Sequence, residues 1–177
     1  MALSKEEREQ FLAEPHIAAL AVNAGDKRGP LTVPIWYQYS PGGEPWVHTG
    51  AGSRKHRLIE TQGEFTLMVD RVEPTVRYVA VDGPVSRIEP ATDDQLVEMV
   101  RRYLPPEAVD GYLEFARREH GEGVVIYMKP ANWLQRKAQV APNSSGLPNL
   151  LAAIDSIWLA RASSYEIFSR TIWALAI

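Results

Sequence analysis

Residues 49–57 of the sequence, TGAGSRKHR, combine glycines, a hydroxyl residue and cations in an order that suits an anion. The two glycines predict a tight loop that presents backbone N–H groups, and Ser53 is a preferred helix N-cap residue. A helix that begins there has Arg54 and Lys55 in its first turn, where the helix dipole disfavours each cation by about 0.3–1 kcal/mol. A bound anion reverses that cost. The segment therefore predicts a binding site for a phosphate ester.

A simpler interpretation of the same cations stays open. Arg54, Lys55 and Arg57 can point into solvent, or they can pair with Glu60 and Glu64. Arginine holds two phosphate oxygens at once and lysine adds a point charge, so both residue types suit a phosphate. The sequence alone does not choose between a ligand site and a solvated helix start.

Other common catalytic patterns do not occur in the sequence. There is no cysteine, which excludes disulfides, thiolate nucleophiles and Cys-ligated zinc. No GxGxxG after a strand, Walker A or GxSxG motif is found, which disfavours Rossmann, P-loop and serine-hydrolase folds. The histidines lack the spacing of metal ligands: His16, His48, His56 and His120. We therefore predict no metal site and assign no catalytic side chain from these patterns.

Composition predicts one folded domain in a reducing compartment. The 177 residues are 45% hydrophobic and 23% charged, which is ordinary for a globular protein. The net charge of −3 argues against a nucleic-acid partner. No apolar stretch is long enough to span a membrane, and the N-terminus does not resemble a signal peptide. We expect a cytoplasmic protein that does not act at a membrane.

The elements that position the anion segment are predicted to be mostly strands. Ser4 and Glu7 form a capping box for a first helix, and further helices are predicted over 54–62, 93–102 and 106–120. Apolar and β-branched runs predict six or seven strands, at 16–23, 31–39, 45–49, 65–69, 77–82, 85–88 and 123–128. Short strands joined by hairpin turns favour an antiparallel barrel over a parallel sheet.

The C-terminal part, residues 138–177, differs from the barrel domain predicted for residues 1–137. Residues 141–149 resemble a linker. Beyond them apolar residues recur at helical spacing: Leu150, Ile154, Ile157, Trp158, Tyr165, Phe168, Ile172 and Leu175. This pattern predicts an amphipathic tail that packs on the barrel or on a second subunit. Binding to a membrane surface and the absence of a settled structure are the alternatives.

The segment WVHTGAGSRKHRLIE resembles the cofactor-binding stretch of the pyridoxamine 5′-phosphate oxidase-like split-barrel flavoproteins. The resemblance covers roughly residues 8–137, through FLAEPHIAALAV, VPIWY, TGAGSRK, FTLMVD, RYVAVDGPV and VVIYMKPANW. It implies a mainly β, α+β fold of the FMN-binding split-barrel type. It also implies a homodimer whose cofactor lies at the subunit boundary. Strands that are apolar on both faces, as in 31–39, add weaker support for a covering partner.

The resemblance also implies which residues bind the cofactor. The phosphate end of FMN falls on His48, Thr49, Ser53, Arg54 and Lys55. The strand along the isoalloxazine ring contributes four residues and a neighbouring strand one: Pro34, Ile35, Trp36, Tyr37 and Tyr78. Two tryptophans lie near these strands, Trp36 and Trp46, and residues of this type are more often part of the core than stacked on a ring, because aromatic side chains fill small barrels.

Departures from the oxidase pattern change the expected activity. Thr32 and Tyr37 stand where the oxidases have Arg and Lys, Tyr78 replaces a Gln, and the closing Arg-x-His signature is missing. The resemblance therefore implies an FMN-dependent oxidoreductase for another small organic substrate, without pyridoxamine phosphate oxidation.

Two alternatives to that function remain at this stage. The first is the branch of the family that uses FMN or the deazaflavin F420, which the Pro-x-Trp-Tyr strand and the later Trp133, Arg136 and Lys137 resemble. F420 has an acidic tail, which would suit a basic path through Arg57, Arg77 and Lys137. The other alternative is a non-enzymatic flavin or haem store. The flavin itself carries the chemistry, so side-chain proton donation is considered only for Tyr37 or Tyr78.

Overall fold

The computed structural model describes residues 2–119 and 121–138, which form four helices and eight strands. The helices are α1 (Lys5–Ala13), α2 (Arg54–Gln62), α3 (Asp93–Tyr103) and α4 (Pro106–Glu119). The strands are β1 (Ala18–Val22), β2 (Leu31–Ile35), β3 (Tyr37–Gln38), β4 (Trp46–Gly50), β5 (Glu64–Arg71), β6 (Val76–Pro90), β7 (Gly123–Met128) and β8 (Asn132–Ala138). The predicted mainly β fold with a few helices is confirmed.

All strand pairs are antiparallel, and they follow the order β2-β1-β5-β6-β7-β4-β3, with β8 also paired to β6. The sheet curls into a half-barrel, which is the split-barrel architecture. Strand β6 is 15 residues long. Its first half pairs with β5 and β8, and its second half pairs with β7. The two parts of the sheet therefore share one strand.

The middle of β6 depends on a glycine. A Cβ atom on Gly83 would overlap the carbonyl oxygen of Lys129, which follows β7. The Lys129 N–H donates to the Pro84 carbonyl oxygen at 2.9 Å, so the two backbones are in direct contact here. Any side chain at position 83 would force them apart. This explains why 77–82 and 85–88, predicted as two strands, are one continuous strand.

The core lies between the inner face of the sheet and two helices. Alternate residues of β5 and β6 point inward and are buried: Phe65, Leu67, Val69, Val79 and Val81. Helix α1 contributes Phe11 and Leu12, and helix α2 contributes Ile59, all of them fully buried. The burial of each large apolar side chain stabilises a fold by about 1.5–3 kcal/mol.

Several predicted boundaries need correction. The predicted strand over 31–39 is interrupted at Trp36, so it forms β2 and β3. Strand β8 was not predicted, and eight strands within the described residues replace the predicted six or seven. The capping box of α1, the bounds of α2 and those of β7 are confirmed. The predicted amphipathic tail and the domain boundary at residue 137 fall at or beyond the end of the described residues and stay predictions.

Candidate functional site

The loop between β4 and α2 forms a closed turn around two hydroxyl groups. Thr49, at the end of β4, is fully buried, and its Oγ1 lies 3.2 Å from the Oγ of Ser53. Ser53 is the N-cap of α2, because its Oγ accepts a hydrogen bond from the His56 N–H at 3.3 Å. Arg54 and Lys55 are therefore the first two helical residues. The local sequence folds as predicted.

The backbone N–H groups of this loop are occupied, which corrects one expectation. Ala51 donates to the Glu122 carbonyl oxygen at 2.9 Å, and Ser53 donates to the Gly50 carbonyl oxygen at 3.1 Å. The Gly52 N–H donates to Nδ1 of His56 at 2.9 Å. The prediction that this loop presents free N–H groups is wrong for these three residues. An anion here would depend chiefly on side chains.

The electrostatics of the helix start favour an anion. The first turn of α2 contains no acidic residue. Burial lowers the pKa of Lys55 from its usual 10.5, because a half-buried ammonium group loses water. Among the described residues, no salt bridge joins Arg54 or Arg57 to Glu60 or Glu64. The interpretation in which these two arginines pair along the helix therefore finds no support.

His48 lies beside the same loop, in the middle of β4. It pairs with Val125 of β7, and its side chain is half-buried. The imidazole occupies the space that a side chain at Gly123 would need. Gly123 also pairs with Gly50, the first residue of the loop. Gly123 therefore leaves room for the His48 imidazole beside the end of β4.

The four predicted ring-facing residues of 34–37 do not share one surface. Pro34 is exposed on the outer face of β2, which is an edge strand and tolerates proline. Ile35 is buried in the core at 5% exposure. Trp36 stacks on Tyr103 of α3 with ring centroids 4.9 Å apart, and it also contacts Tyr112 of α4. Only Pro34 of these three faces outward from the sheet.

Tyr37 is a structural residue in the core. Its side chain is fully buried, and its hydroxyl donates to the Leu12 carbonyl oxygen at 2.6 Å and lies 3.1 Å from that of Glu14. Burial raises the pKa of Tyr37 well above its usual value. The Tyr103 hydroxyl binds the backbone N–H and carbonyl of Tyr37, at 3.1 and 2.8 Å. The side chain is therefore unable to contact a cofactor or deliver a proton.

Tyr78 lines a cavity on the outer face of the sheet. The cavity has a volume of about 440 Å³ and is bordered by Met68, Val72, Val76, Ala80 and Leu134, among others. Tyr78 is half-buried and has Asp70 of β5 and Arg136 of β8 as its two strand partners. The cavity is mostly apolar, and the charged residues Asp70, Arg71 and Arg77 also line it.

One row of the sheet joins Pro34 to this cavity. The register runs from Pro34 to Ala19, Met68, Ala80 and Leu134 across five neighbouring strands. These residues share the outer face, since the residues between them along the strands are buried in the core. Pro34 and Tyr78 therefore lie on the same outer face of the sheet.

Comparison with known proteins identifies the family. The model of the pyridoxamine 5′-phosphate oxidase family matches residues 4–136. The chain belongs to this family. The match includes the loop from Thr49 to Lys55, the outer-face row and both partners of Tyr78. No curated protein matches the chain.

Several solved structures have the same fold as this chain. An F420 reductase superposes with a TM-score of 0.58 at 20% identity, over 71% of this chain and 94% of that one. The conserved hypothetical protein Rv2991 from Mycobacterium tuberculosis gives 0.59 at 16% identity, over 85% and 96%. An FAD-binding protein from Mesorhizobium loti gives 0.52 at 18% identity, over 78% and 96%. The split-barrel prediction is confirmed.

Other chemistry receives no support in the part of the chain that the structure describes. No three His, Asp or Glu side chains there gather into a possible metal site. No helix among those residues is sufficiently long and apolar to cross a membrane. Of the three residues suggested for a basic path, Arg77 and Lys137 lie opposite each other on β6 and β8, whereas Arg57 is exposed on α2.

Sequence reasoning missed the residues that build the cavity in this oxidase-family fold. Met68, Ala80 and Leu134 were not singled out, because β8 was not predicted and the outer face of β5 was taken as part of a buried strand. No sequence signal marked β8, because apolar and polar residues do not alternate in its sequence, NWLQRKA, and only the structure shows the alternation. Residues 132–138 alternate in exposure, and Leu134 is a large apolar residue that is 64% exposed.

Proposed function

We propose that this protein is an FMN-binding oxidoreductase for a small organic substrate. The observation that carries the proposal is the acid-free start of α2, where the half-buried Lys55 and the exposed Arg54 follow the Thr49–Ser53 hydroxyl pair. FMN supplies hydride and electron transfer when bound, and the protein binds and orients it. We assign the phosphate end to Ser53, Arg54 and Lys55, with His48 and Thr49 beside them.

The residues present fit a phosphate. Half-burial disfavours the charged form of Lys55, and a nearby phosphate would restore it. Arg54 offers a bidentate fork, and the Ser53 hydroxyl is already aligned at the helix start. Because the loop N–H groups are occupied, the two cationic side chains would supply most of the binding free energy.

The outer face of the sheet fits the flat, apolar part of a flavin. Pro34 lies on the row that leads to the cavity beside Tyr78. We propose that Pro34 and Tyr78 orient the ring, whereas Ile35, Trp36 and Tyr37 support the strand from the core side. No side chain is assigned as a general acid or base.

A second copy of this chain is the partner that we propose for the outer face. Met68, Val72, Val76 and Leu134 expose 36, 65, 38 and 64% of their surface there, which is unusual for large apolar residues in one patch. Asp70 and Arg136 flank Tyr78 with opposite charges. In a two-fold interface each acidic residue meets the partner's basic one, so this face is self-complementary. The flavin would then lie at the boundary between the two copies.

Sedimentation at low micromolar concentration tests the dimer. We expect a dimer in wild type and a shift toward monomer in Leu134→Asp, which adds a charge to the apolar patch. Asp94→Asn, an exposed change on α3, is the matched control. A wild-type monomer of about 20 kDa that still holds flavin tightly would contradict the shared site.

Titration of FMN tests the proposed site directly. Each hydrogen bond to a charged group is worth about 1.5–3 kcal/mol, so Arg54→Ala and Lys55→Ala should weaken binding by about 10- to 150-fold. Arg28→Ala removes an exposed cation from a distant turn and should leave the affinity unchanged. Equal FMN affinity in wild type and in both site variants would overturn the assignment.

The same titration with F420 tests the alternative cofactor. Arg136 is exposed next to Tyr78 on the outer face, where it is available to an acidic cofactor tail. F420 preference would show as tighter binding of F420 than of FMN, lost in Arg136→Ala. Binding of FMN alone would favour the first proposal.

Turnover distinguishes an enzyme from a flavin or haem store. Steady consumption of NAD(P)H or reduced F420 that scales with protein supports an oxidoreductase. Bound flavin without turnover would support a store, and a Soret band would indicate haem. We expect no pyridoxal phosphate formation from pyridoxamine phosphate, since the closing Arg-x-His signature is missing.

A further inference from the structure

A row of cations crosses three neighbouring strands on the inner side of the sheet. Arg71 of β5 lies opposite Arg77 of β6, and Arg77 lies opposite Lys137 of β8. Like charges directly opposite each other destabilise a sheet. The row lies at the open end of the half-barrel, two residues beyond the buried Val69 and Val79. Such an arrangement needs a compensating charge.

Helices α1 and α3 bring further groups to the same place. The Arg71 and Arg77 guanidinium carbons lie 5.2 and 5.4 Å from the centroid of the Phe11 ring, and the His16 ring lies 4.4 Å from it. Arg102 of α3 reaches the end of α1, where its Nη2 donates to the Glu14 carbonyl oxygen at 2.8 Å. We call Arg71, Arg77, Arg102 and His16 the barrel-end cluster.

The charges of the barrel-end cluster do not balance. Among the described residues, Glu14 is the carboxylate beside this cluster: it forms an ion pair with Arg71 Nη1 at 3.0 Å and lies 3.3 Å from His16 Nε2. Within the cluster itself, three guanidinium groups therefore face one carboxylate, an excess of two positive charges before Lys137, opposite Arg77, is counted. Burial lowers the pKa of His16 below its usual 6.5, so the imidazole is neutral at pH 7.

The cluster also holds buried donors without acceptors. The Nε atoms of Arg71, Arg77 and Arg102 are buried and have no hydrogen-bond partner. The Nε2 atom of His16 is also buried, and its contact with Glu14 is not aligned as a hydrogen bond. A buried donor that is left unsatisfied is costly, more so when it is charged. Three such groups that contact Phe11 or Glu14 indicate a missing acceptor.

We propose that the barrel-end cluster binds a tetrahedral oxyanion with two negative charges, such as phosphate or the terminal group of a phosphate monoester. Guanidinium groups from three different elements suit a tetrahedral group, whereas a planar carboxylate is satisfied by one fork. Two negative charges match the excess. The residues are half-buried, so the ligand can enter from solvent. None of them belongs to the β4–α2 loop that we propose for the flavin phosphate, whereas Arg71 and Arg77 also line the cavity that we propose for the flavin ring.

Thermal unfolding in increasing inorganic phosphate tests the proposal, with sodium chloride at equal ionic strength as the reference. All proteins carry Lys55→Ala, so that phosphate at the β4–α2 loop contributes little. We expect a saturable rise in Tm with phosphate, and a smaller one with malonate as a planar dianion. In Arg77→Gln the rise should be lost and phosphate binding by calorimetry should weaken about 10-fold or more.

Controls separate the site from a general salt effect. Arg28→Gln should keep the full phosphate response, and Arg102→Gln should lose it as Arg77→Gln does. Without phosphate, Arg77→Gln should unfold no earlier than its parent, because it relieves repulsion from Arg71. A phosphate response equal to that of chloride, or one that survives both cluster substitutions, would overturn the proposal. Neither result depends on whether FMN binds at α2.

Discussion

The start of α2 and the barrel-end cluster are both cationic and half-buried, yet they are built differently. At α2 the cations follow each other in the sequence, and the helix start places them. The barrel-end cluster instead joins residues that are far apart in the sequence, which strand pairing and helix packing bring together. The first group lies at the surface of the scaffold, whereas the second is part of it. Changes at α2 should therefore affect binding, and changes at the barrel end should affect stability as well.

The largest loss of stability is expected when the Phe11 ring, which contacts the barrel-end cluster, is removed. Phe11 is fully buried and contacts Arg71, Arg77 and His16. Phe11→Ala should lower the free energy of unfolding by about 3–5 kcal/mol, as measured by urea denaturation. Phe115→Ala on α4, which is only half-buried, should cost less. Similar losses for the two variants would mean that Phe11 has no special role in the core.

A hydroxyl deletion at Tyr37 tests its reassignment from the cofactor to the core. Tyr37→Phe removes this donor from the carbonyl oxygens of Leu12 and Glu14, which keep Arg102 Nη2 as a donor, so the loss should be about 0.5–1.5 kcal/mol in unfolding free energy. FMN affinity of the folded variant should not change. If the affinity fell while stability stayed constant, Tyr37 would belong to the cofactor site after all.

Loss of the helix cap should have a similar effect on stability and a clear effect on binding. Ser53→Ala removes the acceptor for the His56 N–H and the contact with Thr49, at a cost of about 1 kcal/mol. Ser4→Ala, at the capping box of α1, is the matched control for stability. Only Ser53→Ala should weaken FMN binding. An equal effect of both variants on binding would argue against a ligand at α2.

The smallest effect concerns pH at the barrel end. The folded-state pKa of His16 lies below 6.5, mainly because of burial, so the unfolded chain binds more protons between that pKa and 6.5. The contribution of His16 to the free energy of unfolding should therefore fall as the pH drops through this window. Above the window that contribution should be constant. His16→Gln should flatten the dependence in urea unfolding measured from pH 5 to 8. A profile identical to wild type would exclude His16 as its source.

Local signals explain what the sequence could predict. The Ser4 and Ser53 caps, the α2 helix and strand β7 depend on neighbouring residues, and the structure has them at the predicted positions. The split-barrel fold followed from the order of several such segments. At the candidate site, the order Ser53, Arg54, Lys55 at a helix start was visible for the same reason.

Tertiary contacts explain what the sequence could not predict. Tyr37 was assigned to the cofactor from strand position, but the end of α1 supplies two carbonyl acceptors that draw it into the core. Trp36 leaves the strand because Tyr103 of α3 offers a stacking surface. The Ala51 N–H of the loop is occupied by the carbonyl oxygen of Glu122, which follows α4 and is remote in the sequence. No local pattern contains these partners.

The shared strand β6 has a consequence for cooperativity. Its amides are held by β5 and β8 in one half and by β7 in the other, and Gly83 lets the chain pass between them without a break. Neither half of the sheet can open without losing its pairing to this strand. Hydrogen exchange should therefore be slowest in the middle of β6, with a protection that reports global unfolding. The half-barrel should lose its structure in a single transition rather than one sheet at a time.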